Sequence, residues 1–401
     1  MSLSLKKLLF LTTQLPYPPE SGGVIKSFHL LQHFCLHYTV TLATLLKNDD
    51  KNYQSTLLTK VSLAEFIGEE IVSERNAVNY LKSVLARKTL NEYRNFSIEF
   101  AAKIEAQLIT TDVVFIDHFE MFQYVPNNYS GKVVFHEHNA EWLLWERFSK
   151  IEANPIKSFL LGFESKRIRK KEIDFVNRSN ITFASPNDKN ELQKNGAELK
   201  KLKETYHLGN DNLLKLSDPN YSDLPNDIIF MGTLSWEANV DGLLYFLSDV
   251  FPEILKVDAG LKFNIVGRNP DSRLIEASEK YTENVVFHGF VDSIEDVFKL
   301  GRVFILPLRF GSGMKVKFLD ALYAGMPVVT TSIGAEGIDL KHDEHALICD
   351  DSDEFSTSVL ELLSNSEKWK TMSKASRALA NQKYTWQTHL KEIEKELNSI
   401  F

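Results

Sequence analysis

Residues able to do chemistry concentrate in one stretch, 302–340, which reads RVFILPLRFGSGMKVKFLDALYAGMPVVTTSIGAEGIDL. Gly311-Ser312-Gly313 lets the chain turn tightly and bring backbone close to a ligand. Met314, Lys315 and Lys317 follow, then Asp320. A helix opening here presents N–H groups that have no partner inside the helix, so the place favours an anion, and the two lysines add charge to it. Asp320 lies three residues beyond Lys317, close enough on a helix surface to reach the same ligand. Three further places stand out in the first half. The loop QLPYPPESGG ends in Gly22-Gly23, and two apolar runs end in Asp117-His118 and in His136-Glu137-His138-Asn139. If those runs are parallel strands, their carboxyl ends are where an open sheet gathers functional groups.

The elements that position these residues follow from spacing. Residues 303–308 form an apolar run closed by Pro307, the pattern of a buried parallel strand. From 314 to 324 the spacing is helical, with Val316, Leu319, Ala321 and Leu322 on one inward face. Gly325 and then Pro327 stop it, and 328–331 is the next strand. In the first half the pattern predicts strands at 7–13, 38–45, 112–116, 132–136 and 180–184, with a short third strand at 57–63 plus Ile71. Helices are expected at 24–36, 142–148, 158–177 and from Ser185 to Asn195, and 76–108 is mostly helical with a break near Asn95. By Lys200 the strands of this half are expected to be used up. The polar, irregular 213–225 places a domain joint between 203 and 226. The second half repeats the alternation, with strands at 227–231, 262–266, 285–287 and 346–349. Helices are predicted there at 239–251 and 294–300, and an amphipathic one at 386–400. Such alternation predicts two doubly wound parallel sheets.

At 401 residues the chain exceeds one ordinary core, which also favours two domains. A net charge of −8 argues against a nucleic-acid binder. Cys35 and Cys349 are far apart in apolar patterns, with no metal spacing, which fits a reducing cytoplasm. Lys6-Lys7 before Leu8-Leu9-Phe10-Leu11 has the start of a signal peptide, but the run is short and reads as the first strand. No stretch has the length to span a bilayer, and a peripheral membrane contact is compatible with that. Arg167, Arg169, Lys170 and Lys171 read as a solvated helix face, with an anionic acceptor or membrane as the alternative.

Several motifs in order, MGTLSWEANVDGLLYF, FNIVGRNP, VVFHGFVDS and LPLRFGSGMKVKFLDALYAGMPVVTTSIGAEGI, resemble retaining glycosyltransferases of the GT-B fold, family 4. The resemblance is to bacterial polysaccharide and cell-surface glycan members, and PYPPESGG and FHEHNAEW are similar to the same group. It implies an α/β protein of two Rossmann-like domains facing a central cleft. The expected division is 1–205 on the acceptor side, 206–380 binding the donor, and 381–401 as a helix crossing back to the first domain. The implied substrates are a nucleoside-diphosphate sugar and a glycan or lipid-linked acceptor. No cofactor or metal is implied, and the implied location is cytoplasmic, peripheral at the inner membrane face.

By position, the resemblance puts Asp320 on the ribose hydroxyls as the second acid of an E-x7-E pattern. Ser312 stands where the first acid belongs, leaving the sugar and phosphates to the backbone of Gly311, Gly313 and Met314. The Arg and Lys usual after the first C-terminal strand are missing from Gly232-Thr233-Leu234-Ser235-Trp236-Glu237. Lys317 first, then Lys315, Arg309 and Arg268, are expected to take the diphosphate charge. Gly289-Phe290-Val291 resembles the loop that meets the nucleobase, Gly22-Gly23 the glycine loop near the phosphates, and His118 the histidine near the donor sugar. Front-face attack with retention follows from the resemblance, so Glu137 and Glu141 are not read as a hydrolase carboxylate pair. The competing readings are a nucleotide-sugar 2-epimerase and a non-catalytic sugar-binding subunit of the same fold. An NAD-dependent oxidoreductase is disfavoured because the first strand lacks GxGxxG.

Overall fold

The computed structural model describes residues 5–19, 22–47, 50–72, 74–311 and 313–401. The chain divides into two compact units, Met1–His207 with Gln387–Phe401, and Leu208–Trp386. Each is built on an all-parallel sheet with helices in the connections. No helix among the described residues is long and apolar enough to cross a membrane.

In the first unit the strands are β1 (Lys7–Thr12), β2 (Thr39–Leu46), β3 (Glu65–Glu70), β4 (Val113–Ile116), β5 (Lys132–His136), β6 (Ile181–Ala184) and β7 (Leu202–Glu204). Their order across the sheet is β3-β2-β1-β4-β5-β6-β7. Side chains alternate between faces along a strand, and β1 shows the consequence. Leu9 and Leu11 join a core with Phe100, Phe122, Phe135 and Phe175. Leu8 and Phe10 join the opposite core with Phe34, Phe115, Phe183 and the C-terminal helix residues Ile393 and Leu397. That helix, Trp386–Asn398, is also pinned by His389, whose Nε2 lies 3.0 Å from Thr205 Oγ1.

Two readings of this unit are corrected. Residues 57–60 belong to a helix, Asp50–Lys60, and the third strand is Glu65–Glu70. Leu57 and Val61 are both buried at i, i+4 spacing, so the apolar run serves a helix face rather than a pleat. The strands also do not end by Lys200. Leu202–Glu204 pairs with β6 as a seventh, at a length too short to show periodicity.

The second unit carries β8 (Ile228–Met231), β9 (Phe263–Val266), β10 (Val285–Gly289), β11 (Val303–Leu306), β12 (Val328–Thr330) and β13 (Leu347–Ile348) in the order β10-β9-β8-β11-β12-β13. The helix expected at 239–251 is three pieces: Glu237–Tyr245, a π turn at Phe246–Val250, and Phe251–Val257. Pro252 has no N–H to give and sits where the last piece begins, a position that tolerates it. The paired helices Ser352–Ser364 and Ser366–Lys383 were not anticipated from spacing. In both sheets the order reverses once, between β1 and β4 and between β8 and β11. Open α/β sheets leave a crevice at the carboxyl ends beside such a reversal.

Candidate active site

In the second unit that crevice is lined by the stretch that dominates the sequence. β11 leads through Pro307 to Gly311 and Gly313, whose φ angles of 139° and 69° are left-handed conformations that side chains rarely adopt. Lys315 then caps the helix Val316–Tyr323. Ser312 lies outside the described residues. Lys315 Nζ donates to the carbonyl of Gly313 at 2.6 Å and stands 3.7 Å from Glu336 Oε2, so this lysine ties the turn to the following loop.

Lys317 points back toward the end of β8. Its side chain is half-buried, and its ammonium lies 4.4 Å above the Phe230 ring and donates to Asn239 Oδ1 at 2.6 Å. Asn239 is fixed in that sense because its own amide N–H donates to the Thr233 carbonyl at 2.8 Å. Burial, with the Lys315 charge nearby, lowers the Lys317 pKa from 10.5 to about 7. Gly232 is the floor under the ammonium: a Cβ there would stand 2.7 Å from Lys317 Nζ. Gly232 and Gly267 follow β8 and β9 and Gly289 ends β10, linked by Gly232 N–H to Val266 O at 3.0 Å and Gly267 N–H to Gly289 O at 2.8 Å. A Cβ on Gly267 would lie 2.0 Å from the Gly232 carbonyl oxygen, so strand ends must part to accept one. Gly267→Ala is expected to cost about 1–3 kcal/mol of stability and to weaken nucleotide binding, measured by denaturant unfolding and calorimetry.

The remaining candidates of this unit are placed as follows. Met314 is buried beside the turn. The Arg268 guanidinium lies 3.7 Å from the centroid of Phe290, a largely exposed ring following Gly289, with Val291 half-buried next to it. Arg309 is drawn elsewhere: its guanidinium holds Asp241 through two hydrogen bonds, at 2.9 and 2.5 Å. Asp320 is also engaged, its Oδ1 accepting from Asn210 N–H at 2.7 Å, and burial raises its carboxyl to about 7. The structure thus brings Lys315 and Lys317 to the glycine turn, while Asp320 meets the Gly209–Asn210 backbone. Sequence reading missed Asn239, although an amide at the helix start just past Gly232 is a legible signal.

The first unit has its own cluster at its reversal point. Gly22 and Gly23 open the helix Gly22–His37, and Lys26 and Ser27 lie one turn inside it. Asp117, at the end of β4, is fully buried. Its Oδ1 faces His136 Nδ1 at 2.7 Å and His138 Nε2 at 3.0 Å, and its Oδ2 accepts from Ser27 Oγ at 2.5 Å. His118 stacks on His138, with ring centroids 4.2 Å apart, and its Nδ1 is 3.4 Å from Thr12 Oγ1. A Cβ on Gly23 would sit 3.5 Å from His138 Nδ1, so the glycine and the imidazole share one wall. Burial lowers the pKa of His118 and His138 to about 3 and that of His136 well below the usual value, so these rings stay neutral at neutral pH. Lys26 Nζ is buried with no hydrogen-bond partner among the described residues, and burial lowers it to about 7. Asp117, His136 and His138 are near enough to hold a metal ion. Their spacing on one carboxylate oxygen equally fits two N–H donors. The sequence singles out Asp117-His118 and His136 to Asn139 as strand ends and assigns a role to His118 alone; Lys26 and Ser27 do not stand out there and needed the fold to be joined to them.

Comparisons with known proteins bear on the fold. Residues 225–365 match the family model described as glycosyl transferases group 1. The match lies within the unit that carries the glycine turn and Lys317. An uncharacterized 44.6 kDa protein in the cps region of Klebsiella pneumoniae is 21% identical, over 98% of this chain and 99% of that one. The crystal structure of Anabaena Alr3699/HepE in complex with UDP superposes with a TM-score of 0.72 at 14% identity, covering 98% of this chain and 100% of that one. Sucrose-phosphate synthase from Thermosynechococcus elongatus gives 0.69 at 12% identity over 99% of both chains. WaaG, a glycosyltransferase involved in lipopolysaccharide biosynthesis, gives 0.64 at 13% over 96% and 98%. The fold is GT-B.

Proposed function

We propose that this chain is a retaining glycosyltransferase that moves a sugar from a uridine-diphosphate sugar to a glycan or lipid-linked acceptor without a metal. The observation that carries the reading is Lys317: a half-buried lysine at the reversal point of a parallel sheet, its ammonium over an aromatic ring, in the first turn of a helix entered through a glycine turn. A cation kept out of water at this cost to the fold has its use when an anion arrives. The group 1 match over this unit and the UDP-bound neighbour of the same fold support the choice of anion.

As the bond from the anomeric carbon to the diphosphate breaks, negative charge grows on the leaving phosphate. The ammoniums of Lys317 and Lys315 and the N–H groups at the start of helix Val316–Tyr323 are fixed in advance and stabilise that charge. Gly311, Gly313 and Met314 offer backbone to the phosphates and sugar. Phe290 and Val291 meet the base, with Arg268 beside them, and Asp320 reaches the ribose only by releasing the Asn210 N–H it holds. The leaving phosphate then receives the acceptor hydroxyl proton, so no protein carboxylate is needed as base.

The pKa of Lys317 gives a test. A bound diphosphate favours the charged ammonium and raises its pKa above the free value of about 7. Between pH 7 and 9, UDP binding is therefore expected to take up a proton and to weaken as pH rises, by up to about tenfold per unit. Calorimetry in buffers of different ionisation enthalpy measures both. Binding that is independent of pH across this range, with no proton uptake, contradicts the assignment.

A further inference from the structure

The helix Gly22–His37 ends with two histidines one turn apart, His33 and His37. At i, i+4 spacing both rings leave the same helix face, and their centroids are 4.6 Å apart. Glu394 of the C-terminal helix Trp386–Asn398 faces both. Its Oε2 is 3.2 Å from His33 Nε2 and its Oε1 is 3.4 Å from His37 Nδ1. Packing sets this spacing, since Ile393 and Leu397 are buried in the same core as Phe34. Tyr38 Oη also donates to Asn398 Oδ1 at 3.5 Å, which holds the two helix ends side by side.

Hydrogen bonding does not account for the arrangement. His33 Nε2 is shut off from water and has no hydrogen-bond partner among the described residues, although Glu394 Oε2 is close. The oxygen therefore lies off the direction in which the ring nitrogen points, and the two atoms face a common point rather than each other. An ion pair is disfavoured as well. Burial first, and then the His37 charge, lowers the pKa of His33, so this ring is neutral at neutral pH. Ligands bonded at about 2.0–2.2 Å to one tetrahedral ion stand about 3.3 Å apart, which matches the observed 3.2 and 3.4 Å. In the Asp117 cluster, by contrast, two ring nitrogens approach one oxygen at 2.7 and 3.0 Å, the lengths of hydrogen bonds. Neutral imidazole and carboxylate are the ligands that zinc and its first-row neighbours take. The His37 side chain is 40% exposed, which gives an ion a way in and a position for water.

We propose that His33, His37 and Glu394 form a site for one divalent transition-metal ion of the zinc class, which clasps the C-terminal helix to the first helix. The site lies about 15 Å along the helix from Gly23, apart from the Asp117 cluster, and does not depend on the transferase reading. An ion here is structural and takes no part in transfer. Calorimetric titration of zinc chloride into the untagged, chelator-stripped full chain tests it. One equivalent should bind with a dissociation constant on the order of 1 μM, weaker than at a four-ligand structural site. Binding should also raise the melting temperature, as a ligand of the native state does. His37→Gln and, separately, Glu394→Gln should each weaken zinc at least about tenfold. Cobalt(II) substituted for zinc should report the same ligands by a visible absorption that both variants lose. Both side chains are partly exposed, and melts of the metal-free variants against metal-free wild type verify the fold. No zinc bound to the wild type, or binding that both variants leave unchanged, overturns the proposal. So does binding that His138→Gln abolishes and His37→Gln spares, which would place the ion at Asp117.

Discussion

Lys317→Met is expected to abolish transfer while making the unliganded protein more stable. The loss follows from removing the fixed cation nearest the glycine turn, where one preorganised donor to a developing anion is worth about 10²–10³ in rate. The gain follows from linkage. The folded pKa of about 7 lies below the unfolded value of 10.5, so folding favours the neutral amine. Stability from this group is present above the unfolded value, is lost as pH falls toward 7, and stays lost below it. The shift corresponds to a cost on the order of 4–5 kcal/mol at pH 7, an upper limit because Asn239 loses its partner in the variant. The melting temperature of the variant should therefore exceed that of wild type at pH 7 and converge on it toward pH 10. A variant that is both inactive and less stable at pH 7 would show that Lys317 serves the core rather than a ligand.

Glu137→Gln should stabilise the fold in the opposite pH window. Glu137 is buried after β5 against the carboxyl of Glu172, and burial raises its pKa to about 8. Glu172, also buried, has its carboxyl held well above the usual range by burial and then by the neighbouring Glu137 charge. Two carboxyls placed together in a dry interior cannot both ionise. Glu172 has a structural task, since its Oε1 accepts from Glu141 N–H at 2.8 Å where the helix Glu141–Ile151 begins. For Glu137 the folded pKa exceeds the unfolded 4.5, so its contribution is fully present below pH 4.5 and is lost as pH rises through about 8. Relative to wild type, Glu137→Gln should gain nothing near pH 4.5 and progressively more stability as pH rises toward 8. Thermal melts across that range decide it. A constant difference at all pH values would mean that Glu137 is already neutral or already paired.

These two residues also show what a sequence can and cannot display. The glycine turn, the lysines and the helix after them are local in the chain, so spacing alone places Lys315 and Lys317 at a helix start beside a strand end. The sheet architecture is similarly legible, because parallel strands buried on both faces read as apolar runs such as VVFI and FNIV. What spacing hides is convergence. Asp117 collects Ser27, His136 and His138 only because β1, β4 and β5 are neighbours in the sheet. Glu137 meets Glu172 across more than thirty positions of chain. Arg309 looks free beside the turn in sequence, yet Asp241 holds it from the helix Glu237–Tyr245. The strand placed at 57–63 fails for a physical reason, since two apolar residues four apart satisfy a helix as well as a short buried strand.

The account rests on a diphosphate held at Lys317. Calorimetric titration of UDP into wild type and Lys317→Met at pH 7, with metal ions chelated, measures that directly. Saturable binding to the wild type that is weakened at least about tenfold in the variant is the predicted result. Equal binding to both proteins, or none to a folded wild type, would contradict it.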